Sequence, residues 1–388
     1  MCKGKEEEEE EEERNSKSNV TVDRISDLPD AVIYRILSLV PTFDVVRMSV
    51  LSRRWRRMWY SVPTLQFSDS VGFKKRESFN VFVDECLMHR SQAMRYIADS
   101  DVIRLKLDIS YTRDSDRLAV NNWSKSPIIQ NCVKELDICG REKPSLFDGY
   151  YHFMPSVALH GRSLRIIKLE GLKLDGSCSV NLPSLKSLYL VDVLFGEGVN
   201  HTLRNLMIGC PSLENFALTG NRYRYSEFTI SSSSLKYLEL KIHCKAVNLV
   251  ASKLQSLVVD CRGDQQICFS KLTCLENLTL SMSKGFGHIN VVSPTLKRFS
   301  LKKLNDEKAM VTTETPNLVS FNYEGNIEFS ITMKTPNRQL EGSFSFGRRS
   351  GIPDEDWYPK LMTFFSIINC LWKRLSLRSN EDEVRKNA

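Results

Sequence analysis

A six-residue pattern of apolar residues recurs along most of this 388-residue chain. In its Leu-x-x-Leu-x-Leu form, with other apolar residues allowed, the pattern starts at residues 102, 133, 164, 185, 213, 235, 254, 275, 296 and 318, and again at 372. From residue 164 onward, successive copies start 21, 28, 22, 19, 21, 21 and 22 residues apart. So regular a period indicates that each copy is one structural unit and that the units stack on one another.

Each copy predicts a short strand whose alternate residues point inward, followed by a turn and a return segment. One unit cannot bury its own apolar face, so neighbouring strands are expected to pair in parallel over a continuous core. The period is that of leucine-rich repeats. The 28-residue unit has room for a return helix on Leu203, Leu206 and Met207, whereas the shorter units do not. The sequence therefore predicts an α/β solenoid with irregular or helical returns.

Strand parity predicts which side chains of the repeats are free to contact a partner. If the first, fourth and sixth positions of each copy are buried, the third, fifth and seventh lie on the opposite, open face. These open positions mix charges and sizes, as expected of a surface that recognises another protein; a solvated face with no partner is the alternative. The candidate substrate-binding residues are Tyr189, Asn215, Tyr237, Glu239, Lys241, Asp260, Asn277, Arg298, Lys302, Asn322 and Glu324.

Ahead of the repeats, residues 23 to 67 have helical spacing. A first helix after Leu28 and Pro29 carries its apolar residues on one face, at Val32, Ile33, Ile36, Leu37 and Val40. Pro41 ends this helix, and Thr42 and Ser52 are the expected N-caps of two further short helices. A unit of this size buries little surface, so we expect it to need a partner.

This segment, DRISDLPDAVIYRILSLVPTFDVVRMSVLSRRWRRMWYSVPTLQF, resembles the F-box of plant F-box/leucine-rich-repeat proteins. The likeness extends through the repeats to about residue 330, and its departures at Val40, Met48 and Met58 introduce no charge. The resemblance implies that the segment binds a Skp-type adaptor. The residues that it assigns to this contact are Leu28, Pro29, Ile36, Leu37, Val40, Pro41, Val45, Leu51, Ser52, Trp55 and Trp59.

The expected organisation has five parts. Residues 1 to 22 carry a run of eight Glu and predict a disordered acidic tail, which leaves a charge of +11 on the rest of a chain whose net charge is +7. The F-box spans 23 to 67, the repeats span 101 to 378, and a polar tail spans 379 to 388. Residues 68 to 100 predict a linker helix with Phe79, Phe82, Val83 and Leu87 on its buried face. Within the repeats, a further helix is predicted over residues 359 to 370, directly before the last strand.

Composition and motifs exclude several classes of protein. The eleven Cys are scattered, without a CxxC pair, and the N-terminus lacks an apolar signal region, which favours the nucleus or the cytoplasm. No stretch is long and apolar enough to predict a membrane span. No phosphate loop, nucleophile elbow or metal-ligand spacing occurs, so neither an enzyme nor a bound cofactor or metal is predicted.

The resemblance therefore implies a non-catalytic subunit of an SCF (Skp–cullin–F-box) ubiquitin ligase. Its F-box would bind the Skp-type adaptor, and through it a cullin and a RING protein, while the repeats bind an unknown protein substrate. The alternatives are a scaffold or ligand-assisted receptor without a role in degradation, or a nucleic-acid-binding protein. Nucleic acid is not the expected partner, because Arg53, Arg54, Arg56 and Arg57 cluster on the third F-box helix and the repeats carry no basic stripe.

Overall fold

The computed structural model describes residues 27–70, 72–96, 102–110, 114–141, 152–153, 160–174, 179–195, 198–261, 266–267, 272–282, 288–304, 310–325, 327, 330–334, 340–347, 357–368 and 372–380. The chain divides into two compact units, Met1–Val62 and Pro63–Ala388. The predicted acidic tail at residues 1 to 22 and most of the predicted polar tail lie outside the described residues.

The first unit contains three short helices in its described part: α1 (Asp30–Leu39), α2 (Thr42–Met48) and α3 (Arg53–Trp59). Helix α3 packs against both of the others. The spacing of the apolar residues gives each helix one inward face, and these faces meet in a small core. The core residues are Ile33, Leu37, Val45, Trp55 and Trp59, each at most 5% exposed.

Proline and serine set the ends of these helices. Pro29 and Pro41 have extended backbones immediately before α1 and α2, so each proline lies where its missing N–H costs nothing. The Ser52 hydroxyl accepts a hydrogen bond from the Trp55 N–H at 3.2 Å, which confirms Ser52 as the N-cap of α3. The predicted cap at Thr42 is wrong, because Thr42 is the first helical residue of α2 and the cap position is held by Pro41.

The second unit is built mainly from parallel strands. In chain order they are β1 (Thr64–Ser68), β2 (Arg104–Ser110), β3 (Glu135–Arg141), β4 (His152–Phe153), β5 (Ile166–Glu170), β6 (Leu172–Leu174), β7 (Ser187–Val191), β8 (Leu194–Phe195), β9 (Asn215–Ser231), β10 (Tyr237–Val250), β11 (Ser256–Cys261), β12 (Gln266–Ile267), β13 (Asn277–Met282), β14 (His288–Val292), β15 (Arg298–Leu304), β16 (Met310–Glu314), β17 (Ser320–Gly325), β18 (Ser330–Met333), β19 (Leu340–Gly347) and β20 (Trp372–Asn380).

One large sheet joins the repeats. Its strands follow the order β1-β2-β3-β5-β7-β9-β10-β11-β13-β15-β17-β19-β20, and β12 pairs with the far end of β10. Neighbours pair in register, so that Leu188, Phe216 and Leu238 lie side by side. In every copy from residue 164 to 318, the first, fourth and sixth positions are buried. The parallel solenoid predicted from the repeat period is confirmed, and its core is this continuous stack of inward rows.

The return segments differ from the prediction. Two smaller parallel sheets, β4-β6-β8 and β14-β16-β18, are built from them, and the second halves of β9 and β10 also pair with each other. The prediction of irregular or helical returns is therefore wrong for these units. A strand advances about 3.3 Å per residue against about 1.5 Å for a helix, so a unit of about 21 residues closes more easily with a strand.

Five helices belong to the described part of the second unit: α4 (Arg76–Ala93), α5 (Asp114–Ser124), α6 (Pro127–Asn131), α7 (Val199–Gly209) and α8 (Trp357–Ile368). Helix α7 is the predicted return helix of the 28-residue unit and buries Leu203, Leu206 and Met207. Helix α8 precedes β20, as predicted, and packs against β18.

The boundary between the units lies earlier than the sequence suggested. Residues 64 to 67 were assigned to the F-box, but β1 pairs with β2 and buries Leu65 and Phe67 in the core of the repeats. The predicted linker helix corresponds to α4, which belongs to the second unit and buries Phe79, Val83 and Leu87, with Phe82 half-buried. Its apolar face makes it part of the solenoid.

The repeat search also missed a strand, β19. In β19, Gly342 occupies the inward position held by Phe321 in β17, so the Leu pattern is interrupted. A Cβ added to Gly342 would lie only 2.5 Å from the Trp372 ring. The indole of the following strand therefore fills the space that a leucine side chain fills elsewhere.

Candidate partner-binding surfaces

The turn before α1 is held by a side chain from α3. Arg54 donates from Nε to Asp30 Oδ1 at 2.6 Å, and its Nη2 donates to the backbone carbonyl of Leu28. Arg54 is thus half-buried and paired, whereas Arg53, Arg56 and Arg57 are exposed. These charge-assisted bonds fix the backbone on both sides of Pro29 relative to α3.

Four aliphatic side chains of the first unit are exposed to solvent. Leu39 and Val50 are 70% and 74% exposed, and Leu51 and Val32 are 62% and 42% exposed. We call these four residues the exposed aliphatic set. Isolated exposed aliphatics are ordinary, but four among 36 described residues of one small unit indicate an interaction surface.

The residues assigned to adaptor contact separate into three groups. Pro29, Pro41 and Leu51 are exposed; Leu28, Ile36, Val40 and Ser52 are half-buried; Leu37, Val45, Trp55 and Trp59 are buried. The side chains of the last group form the core that supports the surface, and their contact with the adaptor stays a prediction. The spacing identifies all of them as apolar, and only the packing of three helices divides them between core and surface.

The predicted substrate-binding residues all lie on the open face of the main sheet. The pairing aligns them in three rows across the strands: one row contains Asn215, Tyr237, Asn277 and Arg298, the second contains Tyr189, Glu239 and Asn322, and the third contains Lys241, Asp260, Lys302 and Glu324. None of the eleven is buried. The register thus combines residues from seven repeats into one surface.

The centre of this face is a hydrogen-bonded cluster. The Tyr237 hydroxyl donates to Glu239 Oε2 at 2.9 Å, and Glu239 also forms an ion pair with Lys241. Between Tyr189 and Glu239 the register places Ala217, a small residue that is only 7% exposed. Ala217 therefore forms the floor of a depression between longer side chains.

The cluster shifts the acidities of its members in opposite directions. Partial burial, followed by the hydrogen bond and the charge of Glu239, raises the pKa of Tyr237 to about 12. Partial burial opposes ionisation of Glu239, but hydrogen bonds from Lys241 and Tyr237 outweigh it and lower the pKa of Glu239. At neutral pH this site presents a phenol, a carboxylate and an ammonium group held in fixed positions.

One position beside the cluster, Lys168, was missed by the sequence reasoning. The Lys168 ammonium lies 5.6 Å from the centre of the Tyr189 ring, in cation–π geometry. The Asn215 amide donates to the Ser187 hydroxyl at 3.0 Å. The parity rule applied to the copy at residue 164 would have identified Lys168, because Lys168 is the fifth position of that copy and lies opposite Tyr189.

The later strands carry a more basic part of the face. Arg298 donates from Nε to Asn277 Oδ1 at 2.5 Å, and Lys302 lies opposite Glu324. In the last strand, Arg374 and Arg378 continue the outer rows. The substrate-face prediction omitted both, because its assignment stopped at the copy that starts at residue 318.

The sequence also predicts that Tyr223 and Tyr225, in the segment NRYRYSEF, either anchor a partner or cover the edge of a repeat. Their side chains lie outside the described part of the structure. The backbone of β9 does show a register shift there, since Ile242 pairs with Gly220 and His243 with Arg224. The pairing thus skips three residues of β9 at this point.

The described residues offer no assembled reaction centre. Among them, no group of three or more His, Cys, Asp or Glu side chains is placed to hold a metal ion. Burial raises the pKa of the Cys86 and Cys210 thiols to about 12, and the charge of Glu85 adds to the effect at Cys86, so both are protonated and poor nucleophiles. No helix in the described ranges has the length and apolar character needed to cross a membrane.

Comparison with known proteins gives two family matches. Residues 25–67 match the F-box domain, and residues 120–280 match the family described as "FBD-associated F-box protein At5g56370, LRR repeats". The first match ends within β1, and the second begins in α5 and ends in β13. The two matches cover the helical unit and the repeat copies that start at residues 133 to 275.

Individual relatives agree with these matches. The chain is 34% identical over 208 residues to F-box/LRR-repeat protein 13 of Arabidopsis thaliana, covering 52% of the chain and 42% of the relative. It is 32% identical over 236 residues to F-box/FBD/LRR-repeat protein At2g04230 of the same plant, covering 56% of the chain and 47% of the relative. The chain thus spans about half the length of the curated relatives it matches.

Proposed function

Because this chain belongs to the plant F-box/leucine-rich-repeat proteins, we propose that it is the substrate-recognition subunit of an SCF-type ubiquitin ligase. Proteins of this family are typically non-catalytic adaptors, and the proposal assigns that role here. The F-box would bind a Skp-type adaptor, which connects it to a cullin and a RING protein. The repeats would bind a protein substrate.

The exposed aliphatic set is the observation that carries the adaptor assignment. Val32, Leu39, Val50 and Leu51 expose apolar area that a protein partner would remove from water, and each square ångström of it contributes about 25 cal/mol. The bonds from Arg54 to Asp30 and to the Leu28 carbonyl prepare the neighbouring turn, so little order has to be gained on binding. Exposed aliphatic side chains beside a rigidly held turn are typical of a unit that binds a protein partner.

The proposed mechanism is positional rather than chemical. Holding a substrate on one unit and an adaptor on the other raises the effective concentration of substrate lysines near a ubiquitin-charged enzyme. The chain itself would then carry no ubiquitin. We propose the nucleus, the cytoplasm or both as the location of this activity.

The open face of the main sheet is the proposed substrate surface. Tyrosines are frequent among the residues that dominate binding energies, and here Tyr189 and Tyr237 flank the depression over Ala217. Nucleic acid fits this face less well, because carboxylates such as Glu239, Asp260 and Glu324 lie within the same rows as its cations.

Adaptor binding is tested by capturing a purified Skp-type adaptor on the immobilised full chain. The variant Leu39→Asp/Leu51→Asp introduces two charges into the exposed aliphatic set, and we expect it to lose capture while keeping its circular dichroism spectrum. A matched control, Val81→Asp/Met88→Asp, changes two exposed apolar residues of α4 and should capture normally. Undiminished capture by the first variant would remove the adaptor assignment.

Substrate binding is tested in cells treated with a proteasome inhibitor. Proteins that accumulate on the full chain but not on the variant Tyr189→Ala/Tyr237→Ala are candidate substrates, and their ubiquitination should require Leu39 and Leu51 as well. If the two tyrosine changes leave every captured protein in place, the open face is not the substrate surface.

A further inference from the structure

The last strand of the main sheet has one free edge among the described strands. Strand β20 pairs in parallel with β19, and no described strand pairs with its other side. Its outer backbone N–H and C=O groups can therefore accept a further strand.

The inward side chains of β20 are also uncovered. Leu375 and Leu377 are 42% and 51% exposed. They continue the two inward rows of the solenoid, since they lie opposite Gly342 and Phe344 of β19. In β7 to β17 the residues of these rows are at most 2% exposed. The apolar rows therefore continue into β20, where their last two residues are not covered.

Helix α8 closes only part of this end. Its Phe364 and Phe365 contact Phe344 edge to face, with ring centres 5.8 Å and 5.0 Å apart, and Phe365 also lies 6.4 Å from Trp372. This aromatic cluster covers β19 and the start of β20. It leaves Leu375 and Leu377 open, which limits the uncovered area to the width of about one strand.

The charges beside this edge restrict what can bind there. On the open face, Arg374 and Arg378 are exposed on either side of Ser376. Lys373 is also exposed, and the nearest carboxylate on β19 is Glu341, 3.9 Å from the Lys373 ammonium and opposite Arg374 in the register. Among the described residues of β19 and β20, three cations stand against one carboxylate, which makes this part of the edge basic.

We infer that the free edge of β20 binds an extended acidic segment of a protein partner as an additional strand. The inference deepens the proposed function and rests on it, because the segment would belong to a substrate that the open face also contacts. In such a segment apolar residues alternate with polar ones: two apolar side chains would cover Leu375 and Leu377, while glutamates face Arg374 and Arg378. The order acidic, apolar, polar, apolar, acidic is symmetric, so it fits with either strand direction.

A second copy of this chain is a poorer occupant. Two β20 edges would bring Arg374 and Arg378 of one copy next to the same arginines of the other, and like charges on neighbouring strands repel. The basic edge therefore favours an acidic partner over self-association, in the way that charged side chains protect exposed edges of other sheets.

The test uses fluorescence anisotropy of labelled peptides with the full chain. The probe contains the sequence glutamate, valine, threonine, valine, glutamate between flexible ends. A second peptide replaces both glutamates by lysine, and a third replaces the threonine and the valine after it by proline. We expect the second and third peptides to bind at least about tenfold more weakly. The second reverses two cross-strand charge pairs, and the third removes a hydrogen bond to β20 in either strand direction, because adjacent N–H groups of a strand point to opposite sides.

Variants of the protein locate the site. The variant Arg374→Glu/Arg378→Glu should reverse the preference between the first two peptides. The matched reversal Lys125→Glu/Lys134→Glu, at two exposed lysines that precede β3, should leave it unchanged. Both variants should capture the Skp-type adaptor normally, so failure of this inference can be told apart from failure of the proposed function.

Three outcomes would overturn the inference. They are equal binding of all three peptides, loss of the preference in the Lys125 and Lys134 variant, and a concentration-dependent dimer in sedimentation that Leu375→Asp/Leu377→Asp abolishes. The last result would assign the edge to a second copy of the chain.

Discussion

In the first unit, the Arg54 side chain links α3 to the turn around Pro29, which belongs to the proposed adaptor surface. Its guanidinium donates to Asp30 and to the Leu28 carbonyl, and so holds the turn around Pro29 against α3. The other three arginines of the RRWRR segment are exposed and make no comparable contact with this turn. Arg54 is therefore a positioning residue for the surface on either side of Pro29.

The variant Arg54→Ala should bind the Skp-type adaptor about tenfold more weakly than the wild type, because losing charge-assisted hydrogen bonds costs about 1.5 kcal/mol. Isothermal titration calorimetry measures the difference. Arg56→Ala, which changes an exposed arginine one position beyond Trp55, is the matched control and should bind normally. Equal affinities for the two variants would show that the turn needs no support from Arg54.

At the scale of secondary-structure elements, the repeats tolerate a small inward residue on one strand when a larger side chain on the neighbouring strand fills the space. Gly342 of β19 leaves space at an inward position, and the Trp372 ring of β20 fills it. Close packing requires such compensation, since an empty site would forfeit dispersion contacts and an occupied one would clash. The pair Gly342 and Trp372 thus replaces one leucine of the repeat pattern.

Single changes at this pair should destabilise the repeats, and a combined change should recover part of the loss. Gly342→Leu should cost about 1–3 kcal/mol through overpacking, and Trp372→Ala about 3 kcal/mol through the cavity that it leaves. Gly342→Leu/Trp372→Ala restores a leucine in the inward row, so its cost should be smaller than the two single costs together. Urea unfolding measures the free energy of unfolding of all three variants. Strictly additive costs would contradict the conclusion that the Trp372 ring fills the space beside Gly342.

A ladder of charges links β7, β9 and β10 at the ends of the strands. Glu214 accepts from Lys186 at 2.6 Å and from Lys236 at 2.8 Å. These hydrogen bonds lower the pKa of Glu214 to about 2. Because the pKa is lower in the folded than in the unfolded state, the ladder stabilises the fold above the ordinary pKa of glutamate, and its contribution is lost as the pH falls toward 2.

Glu214→Gln should therefore weaken the dependence of the thermal midpoint on pH between about 4.5 and 2. The quantity to compare is the difference in thermal midpoint between variant and wild type across that pH range. Other carboxylates also titrate in this range, but they do so in both proteins. Replacing the partners, in Lys186→Met/Lys236→Met, should have the same effect at low ionic strength. Parallel pH curves for wild type and Glu214→Gln would exclude a contribution from the ladder.

At the scale of the whole molecule, two units of different size have different tasks. The first unit has a core of a few side chains and exposes the aliphatic set, whereas the second buries continuous rows along a fourteen-stranded sheet in its described part. Stability rises with the fraction of surface that a domain buries, so the first unit should be the weaker one. A partner that binds only the folded first unit then stabilises that unit in proportion to its concentration.

Hydrogen exchange should accordingly be faster in residues 27 to 62 than in the strands of the second unit. Saturating Skp-type adaptor should slow exchange in the first unit and leave the strands near Tyr237 unchanged. Mass spectrometry after peptic digestion resolves the two regions. Equal protection of both units without the adaptor would contradict the expected difference in stability.

Periodicity determined a large part of this fold. The spacing of Leu at about 21 residues was enough to predict parallel strands, their inward and outward sides, and the return helix that buries Leu203 and Leu206. The reason is that strand parity and helix periodicity are local properties of the backbone, and every repeat shows them again. The match of residues 25–67 to the F-box likewise follows a pattern of proline, serine and tryptophan visible in the chain.

Only the tertiary structure decided which apolar residues are covered and which remain free. Trp55 and Leu51 look equally suited to a partner in the sequence, yet one is 4% exposed and the other 62%, because Trp55 lies in α3, which packs against both other helices, whereas Leu51 lies between α2 and α3. In the same way, Leu375 and Leu377 fit the repeat pattern but lack a neighbouring strand to cover them. Burial depends on contacts between residues distant in sequence, and a pattern within one segment does not contain that information.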